Sequence, residues 1–368
     1  MTGTATCAPF ARPARGFVSR QPAADWGHGL LTGNGTLGAL VPGQVDDETL
    51  YLSHARLFLP NPHAPALLHL ADRLPDIQGL CLAGRYDEAG AEITAAKTRQ
   101  NFAEERDRFI AACALTIRQP ASEVLEYQRS VDFLTAEATV QVRDSRGRGR
   151  MRSIFASRSD QVLVLRLSSD EPTAATLALA SLPLANAQEQ AIVDQGIGDI
   201  DHRIHNGNLS YRVRFLTPNP DNRLHGYVVM GRVHVGDGTQ DDDGQCIRIH
   251  GATEVLVLIR IGLVWEGDDP EAVGAQLEKE LAALPADYAR LLQAHRDVHA
   301  PLMERVHLQL DAPAHERSLP TEDLLALDVA KPSLAQIERA VDAGRYNIIC
   351  STGFHPPNLQ GLWSGTWL

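Results

Sequence analysis

"LLTGNGTLGALVPG", residues 30–43, decides between two kinds of fold. Gly33, Gly35 and Gly38 satisfy G-x-G-x-x-G, in which glycines let the backbone approach a pyrophosphate at a helix N-terminus. That fingerprint needs a buried parallel strand before it and a helix after it. The preceding "QPAADWGHGLL" is polar and rich in Gly and Pro, a poor central strand. Downstream, Pro42 and Gly43 would stop a helix within one turn. The acidic residue expected ~20 positions further on for a ribose is also misplaced, because Asp46, Asp47 and Glu48 come early and Asp72 follows next. The glycines therefore predict a tight turn between two strands, "GTLGALV" and "ETLYLS", where positive φ or close backbone approach is needed.

Outward from that turn, residues 17–267 read as strands. "YRVRFLTP" places Tyr211, Val213 and Phe215 on one face and Arg212 and Arg214 on the other, the alternation of a half-buried antiparallel strand. "QVLVLRLSS" and "TEVLVLIRIGL" are continuously apolar, as central strands covered on both faces are. Turn clusters separate such runs at Asn206, Pro218 and Gly236, and "RDSRGRGRMR" reads as an exposed hairpin turn. One helical interruption falls at residues 83–100. The fold class expected is mainly β, a large antiparallel β-sandwich.

The texture changes at Asp268. "DDPEAVGAQLEKELAALP" carries helix punctuation at both ends, and "ADYARLLQAHRDVHAPLMERV" predicts a second helix with Pro301 as a potential break. Residues 268–331 form a helical linker. Residues 332–368 open with an amphipathic helix that begins near Ser333 and ends at Gly353. Residues 1–16 are an N-terminal tail.

Charge and cysteines exclude several classes. A formal net charge of −12 and a pI near 5.6 oppose nucleic-acid binding. Cys7, Cys81, Cys113, Cys246 and Cys350 are odd in number and widely spaced, which argues against a disulfide framework or a cysteine zinc site. Most read as small buried hydrophobes. No signal peptide is visible, no run suits a membrane span, and localisation stays open. His295 and His299 stand at i and i+4 on a helix, but Arg296 occupies the place of a zincin's glutamate, so a solvated helix face is expected there. The adjacent pairs Glu104 with Glu105 and Asp46 with Asp47 point apart in either regular conformation. No metal or cofactor is expected.

The segment "STGFHPPNLQGLWSGTWL" is too polar for a core and too aromatic for a plain linker. Flat indole faces and amide side chains suit sugars, while a packed interdomain corner accounts for the same composition. Here "DAGRYNIICSTGFHPPNLQGLW" strongly resembles the opening of the catalytic domain of glycoside hydrolase family 95, with its P-x-N-L-Q-G-x-W motif. Four further stretches agree in order: "WGHGLLTGNGTLGALVPGQVDDETLYLSHARLFLP", "AGRYDEAGAEI", "MRSIFASRSDQVLVLRLSSDEP" and "LMERVHLQLDAP".

The resemblance implies an α-L-fucosidase-like or α-L-galactosidase-like hydrolase that inverts the anomeric carbon, using two carboxyl groups ~6.5–9.5 Å apart. Its partner would be an oligosaccharide or glycoconjugate with terminal α-L-fucose or α-L-galactose. The plan implied is an N-terminal β-sandwich, a helical linker, an (α/α)6 barrel and a C-terminal β-domain. The family's catalytic Glu and Asp lie beyond P-x-N-L-Q-G-x-W, so no catalytic residue is assigned within this chain. The expectation is an N-terminal fragment bearing the first helix of a truncated barrel, inactive on aryl α-L-fucosides alone and prone to aggregate through that helix's open face. Substrate-binding candidates are Asn358, Gln360, Trp363 and Asn34, the last because the family's glycine turn faces the barrel. His355 replaces a residue that is commonly small in the family. The competing readings are a stand-alone carbohydrate-binding or interaction β-sandwich without catalysis, and an inverting phosphorylase of the same plan.

Overall fold

The computed structural model describes residues 10–60, 67–102, 107–216, 223–327 and 331–367. Cys7, the Glu104–Glu105 pair and the turn cluster at Pro218 lie outside the described residues. The chain begins with β1 (Gly16–Ser19), β2 (Leu30–Gly33), β3 (Leu37–Val41), β4 (Asp47–His54) and β5 (Phe58–Leu59). A helical hairpin follows, α1 (Leu74–Leu82) and α2 (Tyr86–Arg99), before β6 (Arg108–Phe109) pairs with β5. The run of Ala, Glu and Lys predicted α2, but α1 was hidden behind its Pro75 and Gly79.

The rest of the β-domain is β7 (Cys113–Arg118), β8 (Val124–Asp132), β9 (Glu137–Asp144), β10 (Gly149–Ala156) and the long β11 (Leu163–Ala180). Then come α3 (Ala187–Gly196), β12 (Ile197–His205), β13 (Asn208–Phe215), β14 (Leu224–Val235), β15 (Thr239–Asp242) and β16 (Ile247–Trp265). The sequence reading missed α3, which an Asn186 cap starts in an otherwise strand-rich region. The turn expected at Gly236 also contains a strand, β15, which pairs with β16.

Fourteen strands share one antiparallel hydrogen-bond network. One run is β1-β8-β9-β10-β11-β16-β14-β13-β12, and β2-β3-β4-β7 joins it through β11. The apolar runs named above are β11 and β16, paired Leu163↔Ile259 through Ser168↔Glu254. Register breaks between Ser168 and Thr173 let β11 turn a corner, so its second half pairs with β7. The two layers thus enclose one core, with β2 and β3 packed over β8, β9 and β10. This is the antiparallel sandwich that the alternation predicted. β13 shows it locally, with Tyr211, Val213 and Phe215 buried and Arg214 exposed.

Beyond β16 the chain is helical. Asp269 caps α4 (Pro270–Ala282), with Pro270 at its first position. Asp287 caps α5 (Tyr288–Glu304), and the helix continues past Pro301 to Glu304 although that residue has no N–H to donate to the carbonyl four residues before it. Two short helices, α6 (Ala314–Arg317) and α7 (Thr321–Leu325), precede α8 (Leu334–Ser351). A capping box between Ser333 and Gln336 starts α8. One face of α8 buries Ala335, Tyr346 and Cys350, and the Tyr346 ring stacks on Phe133 at 4.8 Å. The opposite face exposes Leu334, Ile337, Val341 and Ile348.

Candidate functional site

The β2–β3 turn is built by its own side chain. Asn34 Oδ1 accepts from the Thr36 and Leu37 N–H groups at 2.9 and 2.7 Å, while Gly35 takes φ +86°. The glycines do serve close backbone approach, but to the C-terminus of α8. Gly35 N–H donates to Cys350 O at 2.8 Å. A Cβ on Gly33 would lie 2.7 Å from that same oxygen, and one on Gly38 would lie 3.0 Å from Leu362 Cβ. One on Gly35 would lie 2.4 Å from both Gly353 Cα and Gly353 N. A helix C-terminus is the negative end of the dipole and repels phosphate, which removes the nucleotide reading on electrostatic grounds.

The segment after α8 is fastened across the same turn. Tyr346 Oη donates to Leu31 O at 2.6 Å and Trp363 Nε1 donates to Thr32 O at 2.9 Å. Asn358 Nδ2 donates to Ala55 O at 2.9 Å, and Trp367 Nε1 donates to Leu182 O at 3.4 Å. Leu362, Trp363 and Trp367 are buried and belong to the sandwich core. Phe354, His355, Leu359 and Gln360 face outward, with the Phe354 and His355 rings edge to face at 5.1 Å.

Of the four candidates, the structure brings Asn34, Asn358 and Trp363 to this one junction, where each directs polar atoms to protein backbone. Asn34 is 3% exposed, and its Nδ2 donates to Ser157 O at 2.7 Å. Gln360 is exposed. The accessible chemistry is therefore an aromatic ring, an imidazole and an amide, on a segment (residues 352–367) that carries no carboxylate. Such a rim can stack on and hydrogen-bond to a sugar, but it offers no acid–base pair of its own.

A second set of residues holds the junction from beneath. The sequence placed His295 and His299 on a solvated helix face. In the structure both are fully buried, stacked 5.2 Å apart between α5 and the sandwich. Their Nε2–H groups donate to Thr135 O and Phe133 O at 2.9 and 3.0 Å. Each Nδ1 is then an acceptor, from Arg158 N–H at 3.1 Å and from Arg158 Nε at 3.4 Å, and this network assigns the tautomers. The Arg158 guanidinium continues to Ile349 O and to Thr352 O, a cation at the C-terminus of α8. Burial, reinforced by Arg158, pulls the imidazoles down to about 3 for His295 and about 4 for His299, so both stay neutral.

Sequence reasoning missed Arg158 because a single Arg in "FASRSDQ" has no periodic or spacing signature. The two histidines did carry a signal, since Tyr288, Leu291, His295 and His299 follow a helical stripe whose apolar members are buried. Among the described residues no group of three or more His, Cys, Asp and Glu side chains is placed to hold a metal. No helix among them is long and apolar enough to cross a membrane. Cys113 and Cys350 are buried, as expected, whereas Cys81 is exposed and Cys246 half-buried.

A family model described as the glycosyl hydrolase family 65 N-terminal domain matches residues 17–263, and one described as the glycosyl hydrolase family 95 catalytic domain matches residues 287–367. The second agrees with the resemblance read from "PPNLQGLW", while the sandwich itself falls under the family 65 description. Among solved structures, "Putative kojibiose phosphorylase from human microbiome" matches with a TM-score of 0.54 at 8% identity. That match covers 92% of this chain and 43% of the other, so this chain spans less than half the length of the protein it resembles. At that identity the likeness is one of fold. No curated protein matches the sequence.

Proposed function

We propose that this chain, which belongs to the family of the glycosyl hydrolase family 65 N-terminal domain, serves the cleavage of a glycosidic bond as the sandwich, linker and first barrel helix of a glycoside hydrolase. Its substrate class is an oligosaccharide or glycoconjugate, with terminal α-L-fucose or α-L-galactose as the sugar. The observation that carries this reading is the docking of the P-x-N-L-Q-G-x-W segment on the β2–β3 turn, with Phe354, His355 and Gln360 left outward. In this reading Asn34, Asn358 and Trp363 shape the floor from behind, and Gln360 meets the sugar. The domain division follows the texture of the sequence: a tail over residues 1–16, sandwich over 17–267, linker over 268–331 and barrel from 332.

Calorimetry of the 368-residue chain with methyl α-L-fucoside, methyl α-L-galactoside and kojibiose tests this. Saturable binding of one L-sugar is expected, weakened about tenfold by Gln360→Ala, as loss of one hydrogen-bonding contact predicts. Failure of both L-sugars to bind the folded chain overturns the specificity. Binding of kojibiose alone moves the assignment to the phosphorylase reading.

A further inference from the structure

A cleft of about 500 Å³ lies away from that junction, where the segment before β1, the α5–α7 linker and α8 meet. This volume is in the range that holds a small ligand. Its charged walls are Arg12, Arg15, Arg317 and Arg339 against Glu338 and Asp342.

The charges do not cancel. Arg15 grips Asp342 with two hydrogen bonds, at 2.8 and 2.6 Å, and Arg317 grips Glu338 with two, at 2.8 and 2.9 Å. Both carboxylates are thereby matched. Among the described residues, Arg12 and Arg339 have no carboxylate partner. Arg12 donates to Ser318 O at 2.7 Å. Arg339 donates to Leu319 O at 3.0 Å, Thr321 Oγ1 at 3.4 Å and Arg317 O at 2.8 Å.

Those neutral acceptors engage only part of each guanidinium. One of Arg12's five N–H groups is engaged and at most three of Arg339's, so both planar forks keep donors to give. Arg339 is also partly withdrawn from water, and burial lowers its pKa without any carboxylate to oppose the effect. An unpaired guanidinium in such a place is unfavourable, and an oxyanion relieves it. The surplus of positive charge also runs against a chain of net charge −12, so it is a local arrangement.

We infer that this cleft binds the oxyanion of a small ligand, a carboxylate or phosphate, between the Arg12 and Arg339 guanidinium groups. The planar fork of arginine fits either group with paired, charge-assisted hydrogen bonds. Nothing in this inference depends on the sugar specificity proposed above, because its ligand is recognised by charge and in a separate cleft.

Calorimetry of the 368-residue chain with D-glucuronate, D-glucose 6-phosphate, inorganic phosphate and neutral D-glucose tests it. At least one anion should bind at a single site, glucose should not, and added NaCl should weaken the binding. Glucuronate binding marks a carboxylate site and glucose 6-phosphate a sugar-phosphate site, while equal binding of inorganic phosphate shows that the oxyanion alone is recognised. Arg12→Gln, at an exposed side chain, should weaken binding about tenfold without moving the thermal midpoint. Arg339→Lys keeps the charge but loses the fork, and should weaken it to a similar extent. The inference is overturned if no anion binds the folded chain, if glucose binds as well as the anions, or if neither variant changes the affinity.

Discussion

Replacing Gly35 with alanine probes the junction between sandwich and α8 more directly than any other single change. Two separate effects act there. The first is conformational, since a Cβ at φ +86° costs about 1–2 kcal/mol. The second is steric: the new methyl would stand 2.4 Å from Gly353 Cα, Gly353 N and Thr352 C, all main-chain atoms that cannot rotate aside. Relief requires the turn and the post-α8 segment to part by about 1 Å, an overpacking cost of about 1–3 kcal/mol. Parting also breaks the Gly35 N–H···O=C Cys350 bond and strains the bond from Trp363 to Thr32, each worth about 1 kcal/mol.

Gly207→Ala is the matched control. Gly207 sits in the β12–β13 turn at φ +73°, with nothing within 4 Å of its would-be Cβ, so it isolates the conformational term. In urea melts followed by circular dichroism, Gly207→Ala should lose about 1–2 kcal/mol and Gly35→Ala about 4 kcal/mol. Tryptophan emission should shift in Gly35→Ala alone, because Trp26, Trp363 and Trp367 all pack at or beside this segment. Equal losses in the two variants, or unchanged emission in Gly35→Ala, would refute the docking argument.

Acid should loosen the same region from beneath. His295 and His299 stay neutral in the fold and regain an ordinary pKa near 6.5 on unfolding, so the unfolded chain binds more protons below that pH. Their contribution is constant above about pH 6.5, shrinks as pH falls and has cost about 2 kcal/mol each by pH 5. Buried His54, lowered to about 4, acts with the same sign, while burial that raises Glu48 acts with the opposite one. Comparison with His299→Gln removes these common terms, and a stability difference that does not change between pH 7.5 and 5 would sink the assignment. Within the sandwich, Arg152 Nη2 meets Glu48 Oε2 at 3.3 Å with both side chains buried. Arg152→Met should lose about 3–5 kcal/mol by stranding that carboxylate, and adding Glu48→Gln should recover part of it in a denaturation cycle.

The sheet was legible because its signal is local: alternation in β13 and apolar runs in β11 and β16 are each read within a few residues, as are the helix starts near Asp268 and Ser333. What was not legible depends on partners far along the chain. Nothing within residues 30–43 says that the glycines face Cys350 and Gly353 rather than a phosphate. The flanks could exclude the nucleotide without naming the real neighbour. Asn34 and Asn358 could likewise be picked out as special amides, but only the fold shows that their donors meet Ser157 O and Ala55 O. His295 and His299 were misread because two polar residues at i and i+4 imply a polar face, whereas three backbone N–H or C=O groups and one guanidinium satisfy them inside.

Tyr346, Cys350, Trp363 and Trp367 belong to the same apolar cluster as strands made more than 200 residues earlier. That gives the core a birth order. During synthesis, β16 is finished at Trp265, yet the end of the sandwich near Leu31 and Thr32 stays open until the residues around 363 emerge. At ordinary elongation rates of ~5–20 residues per second this delay lasts about 5–20 s. Throughout it the nascent sheet presents an unfilled apolar socket to solvent or to a neighbouring chain. A holding chaperone would find its target there, and slow codons between α5 and α8 would lengthen the exposure.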